Sequence, residues 1–459
     1  MAEPPTQQHQ PEPVGLLRRL GLFDATMIVM GGIIGSGIFM NPSVVARIVH
    51  TPALILGSWF AGGIIALLGA FIYAELAARQ PEVGGQYAYL RTTFTPLVAF
   101  LFGWTLFLIS NCGGMAAVAM TFARYVIDLT GTTLPDRLIA GLLIAVLTFI
   151  NCLGVRAGGT VQNFFMVIKI VAIIMLVAFG FAAIGEGSSS EATVSPELPV
   201  TSLNLISTFG AALVPVMFAF GGWQTANFIG GEIREPRKNL PRGLLIGVLG
   251  VLVLYLSVNY ICIRALGADG LAQTQTPASA VMRIVLGNAG ATIIAIGIVL
   301  STAGFLSQSI LVTPRVYFAM AHDGLFFRRM GWIHPRTRVP VYAIAAQGAL
   351  TILIALWGKY EQILSYVVWN DFCFFGLTAS CLFVLRRRAR LSGADNPPHR
   401  MPGHPITTSI FILTALFIVV NTFWTNPIQA LMGLAITLAG IPVYFLWRRP
   451  GGKNLATLS

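Results

Sequence analysis

Runs of about twenty apolar residues recur twelve times along this chain, and no other feature narrows its possible folds as far. The windows lie near 22–48, 53–78, 96–127, 137–153, 160–185, 203–232, 242–265, 289–320, 340–357, 361–385, 405–424 and 427–447. In hydrocarbon each backbone N–H and C=O must be paired inside the protein, so runs of this length and composition are expected as helices. Hydrophobic residues make up 56% of the 459 and charged residues 10%, with a mean hydropathy of +0.77. A soluble domain carries about 25% charged residues. The chain therefore reads as an all-α integral membrane protein with twelve transmembrane helices and the lipid bilayer as its first partner.

The formal net charge of +12 would suit a nucleic-acid binder, but the placement of that charge rejects the idea. With twelve spans and a cytoplasmic amino terminus, 21 of the 29 Lys and Arg fall on the cytoplasmic side. Basic clusters stand at Arg234, Arg237, Lys238 and Arg242, at Arg328 to Arg338, and at Arg386 to Arg390. The outer connection 186–202 carries Glu186, Glu191 and Glu197 and no basic residue. This asymmetry predicts both termini in the cytoplasm and a multi-pass protein of the cell (inner) membrane. Residues 1–21, rich in Pro and Gln, read as a disordered cytoplasmic tail without the apolar core of a signal peptide, and 448–459 as a second tail.

Polar connections reach only about twenty residues, too short for an independent catalytic domain. No metal cluster, P-loop or hydrolase elbow appears, and the glycines near residue 31 lack the preceding strand of a dinucleotide fingerprint. No enzyme activity, catalytic residue, metal ligand or cofactor is expected. All five cysteines lie in or beside apolar spans, which argues against a disulfide framework.

Two spans are interrupted. The first reads Gly31-Gly32-Ile33-Ile34-Gly35-Ser36-Gly37-Ile38-Phe39, and the second reads Phe218-Ala219-Phe220-Gly221-Gly222-Trp223. An unwound helix in a membrane leaves backbone groups open, which is tolerated only against protein, water or a ligand. Matched breaks in the two halves of a transporter point to its substrate site. Here they begin spans one and six, which suggests two five-helix repeats, 22–185 and 203–388, the second inserted upside down, with helices eleven and twelve appended over 404–447.

Four segments in order carry a family resemblance: Ile33 to Phe39; Tyr73-Ala74-Glu75-Leu76 with Pro81 to Leu90; Phe218 to Trp223 with Asn227-Phe228 and Glu232; and Pro314-Arg315 through Asp323-Gly324 to His334-Pro335. Together they resemble the amino acid–polyamine–organocation (APC) superfamily, and within it the L-type amino acid transporter branch. The resemblance implies a LeuT-like fold and secondary transport of amino acids by alternating access. Eukaryotic L-type light chains carry an outer-loop cysteine after helix three that bonds a heavy chain. The corresponding loop here, Asp128 to Asp136, has none, so a stand-alone prokaryotic carrier without a disulfide-linked heavy chain is implied.

An amino acid substrate presents an anionic and a cationic end. N–H groups from about Ser36 and Gly37, at the start of the outer half of helix one, suit the carboxylate. Half-helix carbonyl ends suit the ammonium, and the resemblance assigns that task to Ile33, Phe218 and Gly221. Glycine at 35, 37 and 221 is expected to let a ligand approach the backbone closely. Phe218 is implied as an outer gate, whereas Phe220 and Trp223 read as packing residues. Asn111, Gly113, Gly114, Ser301, Thr302, Gly304 and Ser307 are small or polar residues in helices three and eight that either line the pocket or pack.

Lys169 lies near the membrane midplane, too deep to snorkel with ease. The resemblance sets it against the inner part of helix one, where sodium-coupled relatives of the fold hold an ion, so an ammonium would brace that helix instead. Asp371 in helix ten would take a proton, balance a cation or bond nearby hydroxyls. Glu75, Glu232 and Arg315 read as an inner-face network. No acid stands at the centre of spans one, three, six or eight, which favours small or medium neutral L-amino acids, moved by exchange. The rivals are proton-coupled uptake through Lys169 or Asp371, cationic amino acid or polyamine transport with Asp371 as counter-ion, and a non-transporting nutrient sensor.

Overall fold

The computed structural model describes residues 20–80, 84–154, 169–182, 202–228, 230–393 and 397–447. Among these the chain is helical throughout and contains no strand, only an isolated bridge between Leu20 and Ile233. That bridge, with Leu20 N–H donating to the Glu232 carbonyl at 3.1 Å and Arg234 N–H to the Leu20 carbonyl at 2.8 Å, brings residue 20 into the fold. Residues 1–19, all but the last residue of the expected connection 186–202, the tail 448–459 and the start of span five lie outside the described residues.

The helices follow the apolar windows. Helices α1 (Leu22–Ile33) and α2 (Gly37–Val49) make the first span, followed by α3 (Pro52–Arg79) and a short α4 (Gln86–Thr93). Next come α5 (Pro96–Thr130), α6 (Asp136–Cys152) and α7 (Lys169–Ala182). Helices α8 (Ser202–Phe220) and α9 (Thr225–Phe228) form the second broken span. The remainder are α10 (Pro236–Gln273), α11 (Pro277–Val312), α12 (Pro314–His322), α13 (Val341–Trp357), α14 (Tyr360–Leu391), α15 (Ile406–Thr425) and α16 (Pro427–Trp447).

Local chemistry explains the starts. Thr51 and Thr95 accept the N–H groups of Leu54 and Val98, each at 3.4 Å, and each is followed by a proline at the first helical position. Among the described residues eight spans are long and apolar enough to cross a bilayer, against the twelve windows expected. The shortfall has local causes. α8 stops at its break, α7 is described only from Lys169, and α6 and α13 have 17 residues each.

The broadest interface joins α3 to α10, and α1 packs along α10 while α2 packs along α8. The broken helices therefore sit at the centre. At the periphery, α6 exposes Leu142, Val146 and Phe149, α15 exposes Leu413, Leu416 and Val420, and α16 exposes Leu431, Leu438 and Phe445. In a soluble protein such patches would be a liability; against lipid tails they match the solvent.

Candidate substrate site

Both helix breaks fall where the sequence places them, and they meet on one cavity. α1 ends at Ile33, residues 34–36 are non-helical, and α2 begins at Gly37. The Ile34 and Gly35 N–H groups bond back to Met30 and Ile33 carbonyls, both at 2.7 Å. The N–H groups of Ser36, Gly37 and Ile38 have no acceptor among the described residues, as the first turn of a helix requires unless a cap or ligand supplies one. Ser36 is fully buried and its hydroxyl has no hydrogen bond of normal geometry.

The second break closes on itself. Gly221 N–H donates to the Phe218 carbonyl at 3.2 Å and Gly222 N–H to Gln224 Oε1 at 3.1 Å. The Gly222 carbonyl accepts both the Thr225 N–H at 3.1 Å and the Thr225 hydroxyl at 2.8 Å. Gly222 holds φ at +101°, a region that side chains rarely adopt. A Cβ there would fall on the Gly32 carbonyl, and one on Gly32 would lie 2.7 Å from the Gly222 oxygen. The two breaks touch backbone to backbone.

The cavity at this junction holds about 820 Å³ of space free of protein atoms, open solvent at its mouth included. Ile33, Gly35, Ser36, Gly37, Phe218 and Gly221, the expected site residues, all line it. Two of those expectations change in detail. A Cβ on Gly37 would overlap Ala219 of α8, so the glycine is needed for helix packing as well as for any ligand. The Ile33 carbonyl already accepts the Gly35 N–H and stands 3.1 Å from the Tyr255 hydroxyl. The Gly221 carbonyl, by contrast, has no donor among the described residues.

Of the candidates in helices three and eight, Asn111 and Gly114 line the cavity, beside residues that the sequence did not single out. α5 carries a π-helical turn at Leu106–Ser110, which swings Leu106, Ser110 and Asn111 to the cavity. α11 contributes Phe305 and Ser309 rather than Ser301, Thr302, Gly304 or Ser307. Gly114 lines the cavity, while Gly113 packs on Val367. Phe220 and Trp223 are fully buried packing residues, against Trp59 and Tyr255 and against Tyr73 and Phe375 respectively.

The cavity, its two breaks and the apolar shell belong to a chain whose residues 20–445 match the amino acid permease family model. The serine/threonine exchanger SteT of Bacillus subtilis is 30% identical over 437 residues, covering 94% of this chain and 97% of that protein. The large neutral amino acids transporter small subunit 2 of Homo sapiens is 30% identical over 446 residues, 94% and 81% of the two chains. The Asc-type amino acid transporter 1 of Homo sapiens is 29% identical over 451 residues, 95% and 84%. The chain belongs to the amino acid permease family. This permease is a multi-pass membrane transporter, not an enzyme.

In the permease, Lys169 is 1% exposed, its Nζ 3.4 Å from the Gly31 carbonyl and 5.6 Å from the centre of the Phe305 ring. It is one of three side chains from three helices that reach the carbonyls of α1. Gln308 of α11 donates to Ile28 at 3.2 Å, and the Tyr255 hydroxyl of α10 stands between Ile33, at 3.1 Å, and Ala219 of α8, at 3.2 Å. Asp371 of α14 is partly exposed on the cavity wall and forms no ion pair among the described residues.

Glu75, Glu232 and Arg315 have the kinds of partner expected from sequence. The fully buried Glu75 carboxylate accepts from Arg79 at 2.8 Å, from Arg386 at 2.9 and 2.6 Å, and from the Met401 N–H at 2.7 Å. Saturating a buried carboxylate in this way offsets its desolvation. Arg315 pairs with Glu232 at 3.3 Å, tying α12 to the segment after α9. Asp323 accepts from Arg91 at 2.5 Å and from the Tyr87 hydroxyl at 2.7 Å, tying α4 to the end of α12.

Proposed function

We propose that this permease exchanges small or medium neutral L-amino acids across the cell (inner) membrane by alternating access. In this reading it is a twelve-helix carrier with both termini cytoplasmic. Residues 22–185 and 203–388 form LeuT-like inverted repeats, and 404–447 adds helices eleven and twelve. The relatives named above support the substrate class, being an exchanger of serine and threonine and a subunit of a transporter of large neutral amino acids. The single observation that carries the reading is the juxtaposition of unpaired N–H groups at Ser36 and Gly37 with the carbonyl end of α8 around one cavity.

The substrate carboxylate is taken by the first set and the ammonium by the Gly221 carbonyl, with Phe218 beside it as the outer gate and Ile33 closing the inner end. Charge-assisted bonds of this kind contribute about 1.5–3 kcal/mol each. Lys169 braces α1 through Gly31, so that movement of the inner half-helix is coupled to a buried hydrogen bond. The carrier works without a disulfide-linked heavy chain. Purified protein in liposomes loaded with unlabelled amino acid should take up labelled neutral amino acid faster than empty liposomes do. Uptake that ignores internal substrate and follows a pH gradient instead would replace exchange by proton coupling.

A further inference from the structure

Building on the reading of the cavity as an amino acid site, we propose that Asp371 selects the substrate side chain. Its carboxylate accepts a hydrogen bond from a hydroxyl or amide N–H on a short, uncharged side chain, so that polar neutral amino acids are preferred over apolar ones of equal size.

Among the described residues lining the cavity, Asp371 is the one with an ionisable side chain. It stands on a wall that is otherwise apolar along its own helix, where Val367, Val368, Phe372 and Phe375 face the same space. Ser110 of α5 lines the same cavity. Asn370, the preceding residue, donates its side-chain N–H to Ser110 Oγ at 2.7 Å, which leaves the Ser110 proton free for another acceptor. An ionised carboxylate offers about four acceptor positions. No ion pair engages the group among the described residues, and the residue is partly exposed where it lines the cavity.

A bound substrate must displace water from those positions. An apolar side chain strips the carboxylate and returns nothing, whereas a hydroxyl or amide restores the lost bond. A site built to bond a polar substrate group rejects the isostere that lacks it far more strongly than an apolar pocket rejects an extra methylene.

Charge balance separates this reading from a cationic substrate. Lys169 lies behind Phe305, another wall residue, with its Nζ 5.6 Å from the ring centre. A zwitterion with a neutral side chain brings no net charge to this depth, while a second ammonium or guanidinium would bring one.

The test uses the full-length protein in proteoliposomes, with exchange of a labelled neutral amino acid challenged by threonine and by its isostere valine. Wild-type protein should be inhibited at a threonine concentration at least about tenfold below that of valine. Asp371→Leu should bring the two within about twofold, chiefly by improving valine, and Asp371→Asn, which keeps an acceptor, should fall between. A wild-type ratio near one overturns the proposal without any variant. So does lysine outcompeting threonine, and so does loss of proton-driven uptake in Asp371→Asn with the threonine preference intact. If Asp371→Leu does not fold, the wild-type ratio and Asp371→Asn decide. Absence of exchange for every amino acid would remove the underlying function, whereas exchange without threonine preference would remove only the role of Asp371.

Discussion

The first helix break, at Ile34 to Ser36, and the second, at Gly221 to Gln224, interrupt their spans at the same depth of the fold but are finished in different ways. In the second, Gln224 and Thr225 supply side-chain partners to both the N–H and the carbonyl of Gly222, so most of the opened backbone is satisfied within four residues. The first has no such local residues. Its Ile34 and Gly35 N–H groups bond back to Met30 and Ile33, Tyr255 reaches the Ile33 carbonyl and Lys169 that of Gly31 from other helices, and the N–H groups of Ser36, Gly37 and Ile38 are left open. A break whose side chains complete it is a structural joint. A break that other helices help to complete, and that leaves three donors open, can bind a ligand and can move when those helices move.

The comparison can be broken most drastically at the joint. Gly222→Ala adds a Cβ that falls on the Gly32 carbonyl at a φ of +101°, so it should destabilise the carrier by at least ~3 kcal/mol and yield little monodisperse protein on size exclusion. A variant that melts like wild type would show that the two backbones are not in contact.

A ligand-side measurement sharpens the contrast at the open break. If the Ser36 to Ile38 donors hold a carboxylate, a methyl ester should compete about a hundredfold worse than the parent amino acid, since two charge-assisted bonds weaken together. N-methylation keeps the positive charge and should cost several-fold less. Equal losses from both changes would mean that the two breaks share the ligand evenly.

Lys169→Ala removes a remote partner of α1 without touching the cavity wall. Exchange should slow about tenfold while outward-side binding changes by less than about threefold, because the half-helix loses its brace rather than the pocket its shape. Unchanged exchange, measured by counterflow beside radioligand binding, would reduce Lys169 to a packing residue. The smallest effect is expected from Tyr255→Phe. It deletes one hydroxyl that stands between the Ile33 and Ala219 carbonyls and should lower stability by ~1 kcal/mol and exchange by a few-fold, readable in a thermal melt. A larger loss than for Lys169→Ala would make Tyr255 the principal tie between the breaks.

The expected inner-face contacts were legible because Glu75, Glu232 and Arg315 stand near helix ends, where few partners other than loop amides and the basic clusters are within reach. Side-chain pocket residues were legible only in part: of seven candidates, Asn111 and Gly114 line the cavity. A helix that is apolar on all sides carries no periodic signal of which face meets a cavity, and α11 presents Phe305 and Ser309 where equally small or polar neighbours face elsewhere.

What the sequence determined by itself are the properties that depend on local composition: the apolar windows, the asymmetry of the basic residues, the two glycine-rich interruptions and the burial of Lys169. Each follows from the free energy of placing a given residue in water or hydrocarbon, which needs no knowledge of neighbours. Tertiary structure alone decided which groups complete the breaks. Tyr255 reaches Ile33 across 222 residues and Gln308 reaches Ile28 across 280. A π-helical turn rotates Ser110 and Asn111 to the cavity, the packing of α8 explains why residue 37 has no side chain, and Asp371 arrives on the wall through the orientation of α14. Those outcomes are set by how each helix is rotated against its neighbours, and rotation is chosen by the packing of the whole bundle rather than by any segment of the chain.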